Sequence, residues 1–227
     1  MQNIPCANIN VPDMKKFSIL FLLLSLVLVG CKSNEEKAAE LIKKELSKTL
    51  YDFESYSPIE TIVTEAKQSV YTDTTFFNSA GAISITLKLA AEELVKSSNA
   101  QEKMDIWGKP SYSSSLYSDQ QYRKYEKEYN EHMGRFLAAW FVVKSMEQNL
   151  KDTLQSIDPE KSMGWEVIHK FRCKSRGGYS SIANYRYIID KDFENVILCE
   201  DMDEDDSKKI RKIIKKIENE GLTTDDL

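Results

Sequence analysis

Between Ser156 and Trp165 the hydrophobic spacing of this chain changes from three-and-four to two, and that change limits the folds open to it. Upstream, Ala38, Leu41, Ile42, Leu46, Leu50 and Phe53 predict an amphipathic helix that ends before Ser57-Pro58. Phe76, Phe77, Ile83, Leu87, Ala90, Ala91 and Leu94 predict a second, capped by Asp73 or Thr74 and running to about Ser98. A third is expected from a cap at Ser118 to about Ser156, where Ile157-Asp158-Pro159 stops it. Its stripe includes Tyr122, Tyr125, Tyr129, Phe136, Leu137, Trp140, Val143 and Leu150; helical spacing makes this a packed face in preference to a sugar-binding platform.

Downstream the pattern alternates. Trp165, Val167, His169, Phe171 and Cys173 share one strand face, opposite Glu166, Lys170, Arg172 and Lys174. Gly177-Gly178 turns the chain into a second strand, about Ser181 to Asp190, with Tyr185, Tyr187 and Ile189 together. A further turn at Asp192 to Asn195 leads to Val196-Ile197-Leu198-Cys199, so the three strands read as an antiparallel meander. Ile210, Ile213, Ile214 and Ile217 predict a last helix from Ser207 to about Glu218. One earlier segment, Ile59 to Thr64, is rich in β-branched residues and is assigned to a strand, although Ser57-x-x-Glu60 with Pro58 also fits a helix start. The expectation is α+β: an antiparallel sheet, made of the meander and one earlier strand, with long amphipathic helices on one face.

The N-terminal stretch has a different character. Met14-Lys15-Lys16 precedes thirteen residues, Phe17 to Val29, that are apolar except for Ser18 and Ser25. At ~1.5 Å per residue this run covers about 20 Å, short of the ~30 Å hydrocarbon core of a bilayer, and reads as a signal peptide. It closes on Leu28-Val29-Gly30-Cys31, which resembles the lipobox of bacterial lipoproteins at all four positions. The resemblance implies cleavage after Gly30, diacylglycerol on the Cys31 thiol, and acylation, with palmitate as a representative chain, of the new amino group. Several acyl chains together hold a protein on a membrane where one is marginal. The leader is expected to span residues 1–30, with translation starting at Met14, and a single domain to span 31–227. Lys32 after the cysteine is expected to sort the protein to the outer membrane of the cell envelope, with the periplasmic or surface side left open. Gly164-Trp165, His169, Arg172, Tyr187 and Asp190 resemble a pattern in small lipoproteins of gut Bacteroidales, which implies location and contributes no catalytic residue.

Charge and residue supply narrow the functions. Removing the leader with Lys15, Lys16 and Asp13 takes the formal charge from −5 to about −6, which disfavours nucleic acid and anionic lipid as partners. Only His132 and His169 are histidines, and neither a zinc spacing nor a cofactor motif is found, so no metal or cofactor is expected. Glu200 to Asp206 holds six acids in seven positions, but an EF-hand counted from Asp201 fails at Asp206 and Lys212; acids before a helix and lysines along it match the helix macrodipole instead.

His169 and Cys173, four apart on one strand, sit ~13 Å apart and make no dyad. Cys173 and Cys199 are expected to be separated by the middle strand and so to stay free thiols. The reading preferred is a non-catalytic binding or interaction module for an unidentified protein or small ligand, with a pocket between the sheet and the long helix lined by Trp165, His169, Phe171, Tyr185 and Tyr187. The alternative is an envelope hydrolase using His169 with carboxylates such as Asp190 and Glu200.

Overall fold

The computed structural model describes residues 32–227. The predicted leader, its cleavage point at Gly30 and the lipid-bearing Cys31 lie outside the described residues. The described residues open on a capping box. The Ser33 hydroxyl accepts from the Glu36 amide at 3.2 Å, and the Glu36 carboxylate accepts from the Ser33 amide at 3.1 Å. Helix α1 (Asn34–Thr49) follows and buries Ala38, Leu41, Ile42 and Leu46. It stops short of Phe53, which the three-residue spacing assigns to it. Phe53 belongs to strand β1 (Asp52–Lys67), because a long pairing with a distant strand outweighs one more turn of helix. Pro58 is tolerated there since β1 is the sheet edge and its register shifts around Pro58.

Strand β1 pairs antiparallel with β2 (Ser162–Lys174), their ends meeting at Lys67 and Ser162. The whole segment between them is therefore an insertion at the tip of a β-hairpin, and its neck is closed by the Gln68 amide donating to the Lys161 carbonyl at 2.8 Å. The insertion is itself an antiparallel helical hairpin of α2 (Thr74–Trp107) and α3 (Leu116–Leu154), about 51 and 58 Å long. Helix α2 continues beyond Ser98 because Ala100 and Met104 extend its buried seam, and it ends at Gly108, whose φ of +68° suits glycine. Ser115 caps α3, its hydroxyl accepting from the Ser118 amide at 3.1 Å, three residues before the predicted cap. Tyr122, Phe136, Val143, Glu147 and Leu150 are the buried positions of α3, whereas Leu137 points to solvent.

Strands β3 (Ser180–Ile189) and β4 (Val196–Asp201) complete a four-stranded antiparallel sheet in the order β1-β2-β3-β4. Helix α4 (Asp205–Asn219) and a short 3₁₀ turn (Thr224–Asp226) end the chain. The fold is thus α+β, with one correction to its layering: helices cover both faces of the sheet. On the front face α1 packs over Val167, Phe171, Tyr187 and Ile189. On the rear face α2, α3 and α4 share a core with Ile188 and Leu198. Among the described residues no helix is long and apolar enough to cross a membrane.

Candidate functional site

The sequence-predicted pocket residues do come together, but under α1 and not under the long α3. Register pairs His169 with Tyr185 and Val167 with Tyr187, so alternation places Trp165, His169, Phe171, Tyr185 and Tyr187 on the front face. They pack as a core. His169 and Phe171 are fully buried, Tyr187 is 2% exposed, and the Phe171 and Tyr185 rings meet edge to face at 5.3 Å. Trp165 lies at the margin, stacked on Phe193 at 5.4 Å, with its indole N–H donating to the Lys191 carbonyl. Phe193 takes a left-handed φ of +60° in the β3–β4 turn, a conformation the stacking helps hold.

His169 is saturated. Its Nε2 lies 2.9 Å from the Tyr56 hydroxyl and its Nδ1 2.9 Å from the Thr61 hydroxyl, both supplied by β1. Burial pushes its pKa down to about 4, so the ring is neutral at pH 7. The predicted partners for a hydrolytic role are elsewhere. Glu200 is on the rear face, opposite Arg186 in the β3–β4 register, and Asp190 follows the last residue of β3, at the start of the β3–β4 connection. The Asp190 carboxylate accepts from the Glu194 amide and the Asn195 side chain, both at 2.8 Å. The structure does not bring His169, Asp190 and Glu200 to one place. Cys173 and Cys199 are free thiols, aligned with Ser181 and Tyr187 of the intervening β3 and so six residues out of step along it. The Tyr187 hydroxyl, across from Cys199, is buried without a hydrogen-bond partner, and burial raises its pKa.

Glu200 instead organises the rear face. Its carboxylate is held by Arg211 of α4 through two bonds of 2.6 and 2.7 Å, and Arg186 approaches it at 3.5 Å. Arg186 also pairs with Glu166 and donates to the Tyr71 carbonyl at 2.8 Å. Two cations and two anions thus balance here, Arg186 and Glu200 buried and Glu166 and Arg211 partly exposed, and the fork geometry of Arg211 ties α4 to the sheet. A second buried carboxylate, Glu147 of α3, anchors the C-terminal tail. Lys144 and Lys151 flank it at 2.5 and 2.6 Å, and the Leu222 amide donates to it at 3.3 Å. Burial works to raise its pKa, but the two lysines and the amide outweigh burial and lower it. Gly221 passes so close, at φ +85°, that a Cβ there would stand 2.6 Å from the Glu147 Oε1.

These two anchors frame a concavity that sequence reading does not reveal. Between α2, α4 and the tail lies an open groove of about 940 Å³, within the roughly 300–1,000 Å³ span of small-molecule sites. Its apolar lining includes Phe77, Leu87, Ile210, Ile213, Leu222 and Leu227, while Gly81, Ala82 and Ser84 leave the space. Lys88, Lys209, Lys212 and Lys216 stand at its rim with Asp206 and Asp226. In the sequence the lysines of α4 read as complements to the macrodipole, and Gly81-Ala82 within a helix was the available hint of close helix approach. No group of three His, Cys, Asp or Glu side chains able to hold a metal ion occurs among the described residues.

The fold and the groove define a class by architecture, an α+β protein whose β-hairpin carries a long helical insertion. Comparison with protein-family models, with curated proteins and with solved structures finds no match for this chain.

Proposed function

We propose that the mature chain is a lipid-anchored, non-catalytic binding module of the bacterial cell envelope, sorted to the outer membrane and taking a ligand in the α2–α4 groove. The Leu28-Val29-Gly30-Cys31 motif behind a charged start and an apolar run carries the anchoring part of this reading. The groove supports the binding part, since it is concave, apolar and rimmed by a few charges, as ligand sites are. With α1 beginning at Asn34, an anchor at Cys31 leaves a tether of two residues, and the body would ride close to the bilayer.

The test is the mature N-terminus. Cells expressing the full chain and fed an alkyne-tagged palmitate should yield a protein that begins at Cys31, carries the mass of a diacylglyceryl group and bears the tag. Cys31→Ser should remove the tag and the cleavage together. A mature protein beginning elsewhere, or an equally tagged Cys31→Ser protein, would overturn the anchor.

A further inference from the structure

We infer that the α2–α4 groove binds a long-chain fatty acid, its carboxylate at Lys88 and Lys212 and its chain along α2. This deepens, and rests on, the reading of the chain as a binding module.

The groove joins two chemistries in one continuous space. Its floor is hydrocarbon, from Phe77 through Leu87 on α2 to Ile210 and Ile213 on α4 and Leu222 of the tail. Its lining on α2 extends from Phe77 to Ala91, about 21 Å of helix at 1.5 Å per residue, which is long enough for an extended single acyl chain. Gly81 lies against the Ile210 side chain, a built Cβ reaching its Cδ1 at 3.5 Å, so α4 is seated there by direct contact and the space opens beyond it along α2.

The rim selects the head group. Lys209 is paired with Asp206 at 3.1 Å and Lys216 with Asp226, which leaves Lys88 and Lys212 as the lining ammonium groups with no ion pair among the described residues. An apolar trough lined by two ammonium groups that have no ion pair among the described residues is locally complementary to one anionic head group, against the net negative charge of the chain as a whole. The carboxylates of Asp206 and Asp226 in the same rim would repel a dianionic phosphate more than a monoanionic carboxylate.

The experiment is photo-crosslinking in cells that express the full chain, with a diazirine analogue of palmitic acid as the probe, followed by digestion and peptide mapping. Cross-links are expected on segments 77–91 and 206–222. They should fall at least tenfold in the double variant Lys88→Glu/Lys212→Glu and in Ser84→Trp, which fills the groove. Unchanged circular dichroism and thermal midpoint of each variant would show that the fold survives. Absence of cross-links from both segments in the wild-type protein would overturn the proposal. So would undiminished labelling of the variants, or equal labelling by the corresponding diazirine alcohol, which lacks the charge. Label at the Cys31 peptide is read separately, so the anchor and the groove fail independently. Recovery of chemically altered probe would overturn the non-catalytic reading while leaving the binding site in place.

Discussion

The two faces of the sheet bury polar groups by different means. On the front face, beneath α1, polarity is neutral: one histidine held by two hydroxyls amid Phe171, Tyr185 and Tyr187. On the rear face, beneath α4, it is ionic: Glu166, Arg186, Glu200 and Arg211 in one network. A neutral hydrogen bond adds about 0.5–1.5 kcal/mol net, and its loss is modest unless a partner is left dry. A buried ion pair adds little relative to an apolar substitute, yet losing one member strands a charge. The front face should therefore answer to pH and the rear face to charge deletion.

The largest effect is expected at Glu200. Glu200→Ala leaves Arg186 and Arg211 facing each other without their shared counter-charge, and should cost about 3–5 kcal/mol in urea unfolding. Replacing both partners, as Glu200→Leu with Arg211→Leu, should recover much of that loss. A single variant within about 0.5 kcal/mol of wild type would show that the two faces do not differ in this way.

Next comes the pH response of the front face. The folded His169 pKa is about 4 and its unfolded value 6.5. Above pH 6.5 neither state binds the proton, and stability is unaffected. As pH falls from 6.5 toward 4 the unfolded state takes the proton and the folded state does not, so stability falls by up to about 3 kcal/mol and levels off below pH 4. His169→Phe should flatten that part of the stability profile measured by denaturant titration at successive pH values. A profile of unchanged slope in the variant would move the acid sensitivity to another group.

The smallest effect concerns the tail that walls the groove. Gly221→Ala introduces a Cβ against Glu147 and Lys151 in a left-handed conformation, and should cost about 1–3 kcal/mol. Hydrogen exchange should then quicken at Leu222 and Thr223, while β2 and β3 keep their protection. Slower or unchanged exchange at the tail would separate the Glu147 anchor from the order of the groove wall.

Much of the secondary structure was legible because two spacings, near 3.6 and 2, translate directly into buried faces. The strand at Ile59 to Thr64 and the meander follow from β-branched runs and turn residues. The end of α1 was not legible, because Leu50 and Phe53 satisfy the helical spacing while Phe53, Tyr56 and Val63 also pack on the sheet. Local pattern alone has no means to weigh the pairing of β1 with a strand more than a hundred residues away. That the residues of the predicted pocket share one face of the sheet was legible, since alternation puts them there, although they pack as core. Their covering helix was not, since Val167, Phe171 and Ile189 on one face and Ile188 and Leu198 on the other make both faces apolar. The role of Glu200 was hidden for a related reason: in sequence it opens an acidic run, and only the return of α4 brings Arg211 to it.

By itself the sequence determined the order of helices and strands, the alternation that gathers His169 with its aromatic neighbours, and the capping box that starts α1. Each depends on residues within a few positions of one another, where geometry is set by the backbone repeat. The tertiary structure alone decided which helix covers which face, that Glu200 is a structural pivot, and that α2, α4 and the tail enclose a groove. Those outcomes depend on contacts between segments far apart in the chain, whose relative placement is selected by the packing of the whole and by the pairing of buried charge, and no local period encodes them.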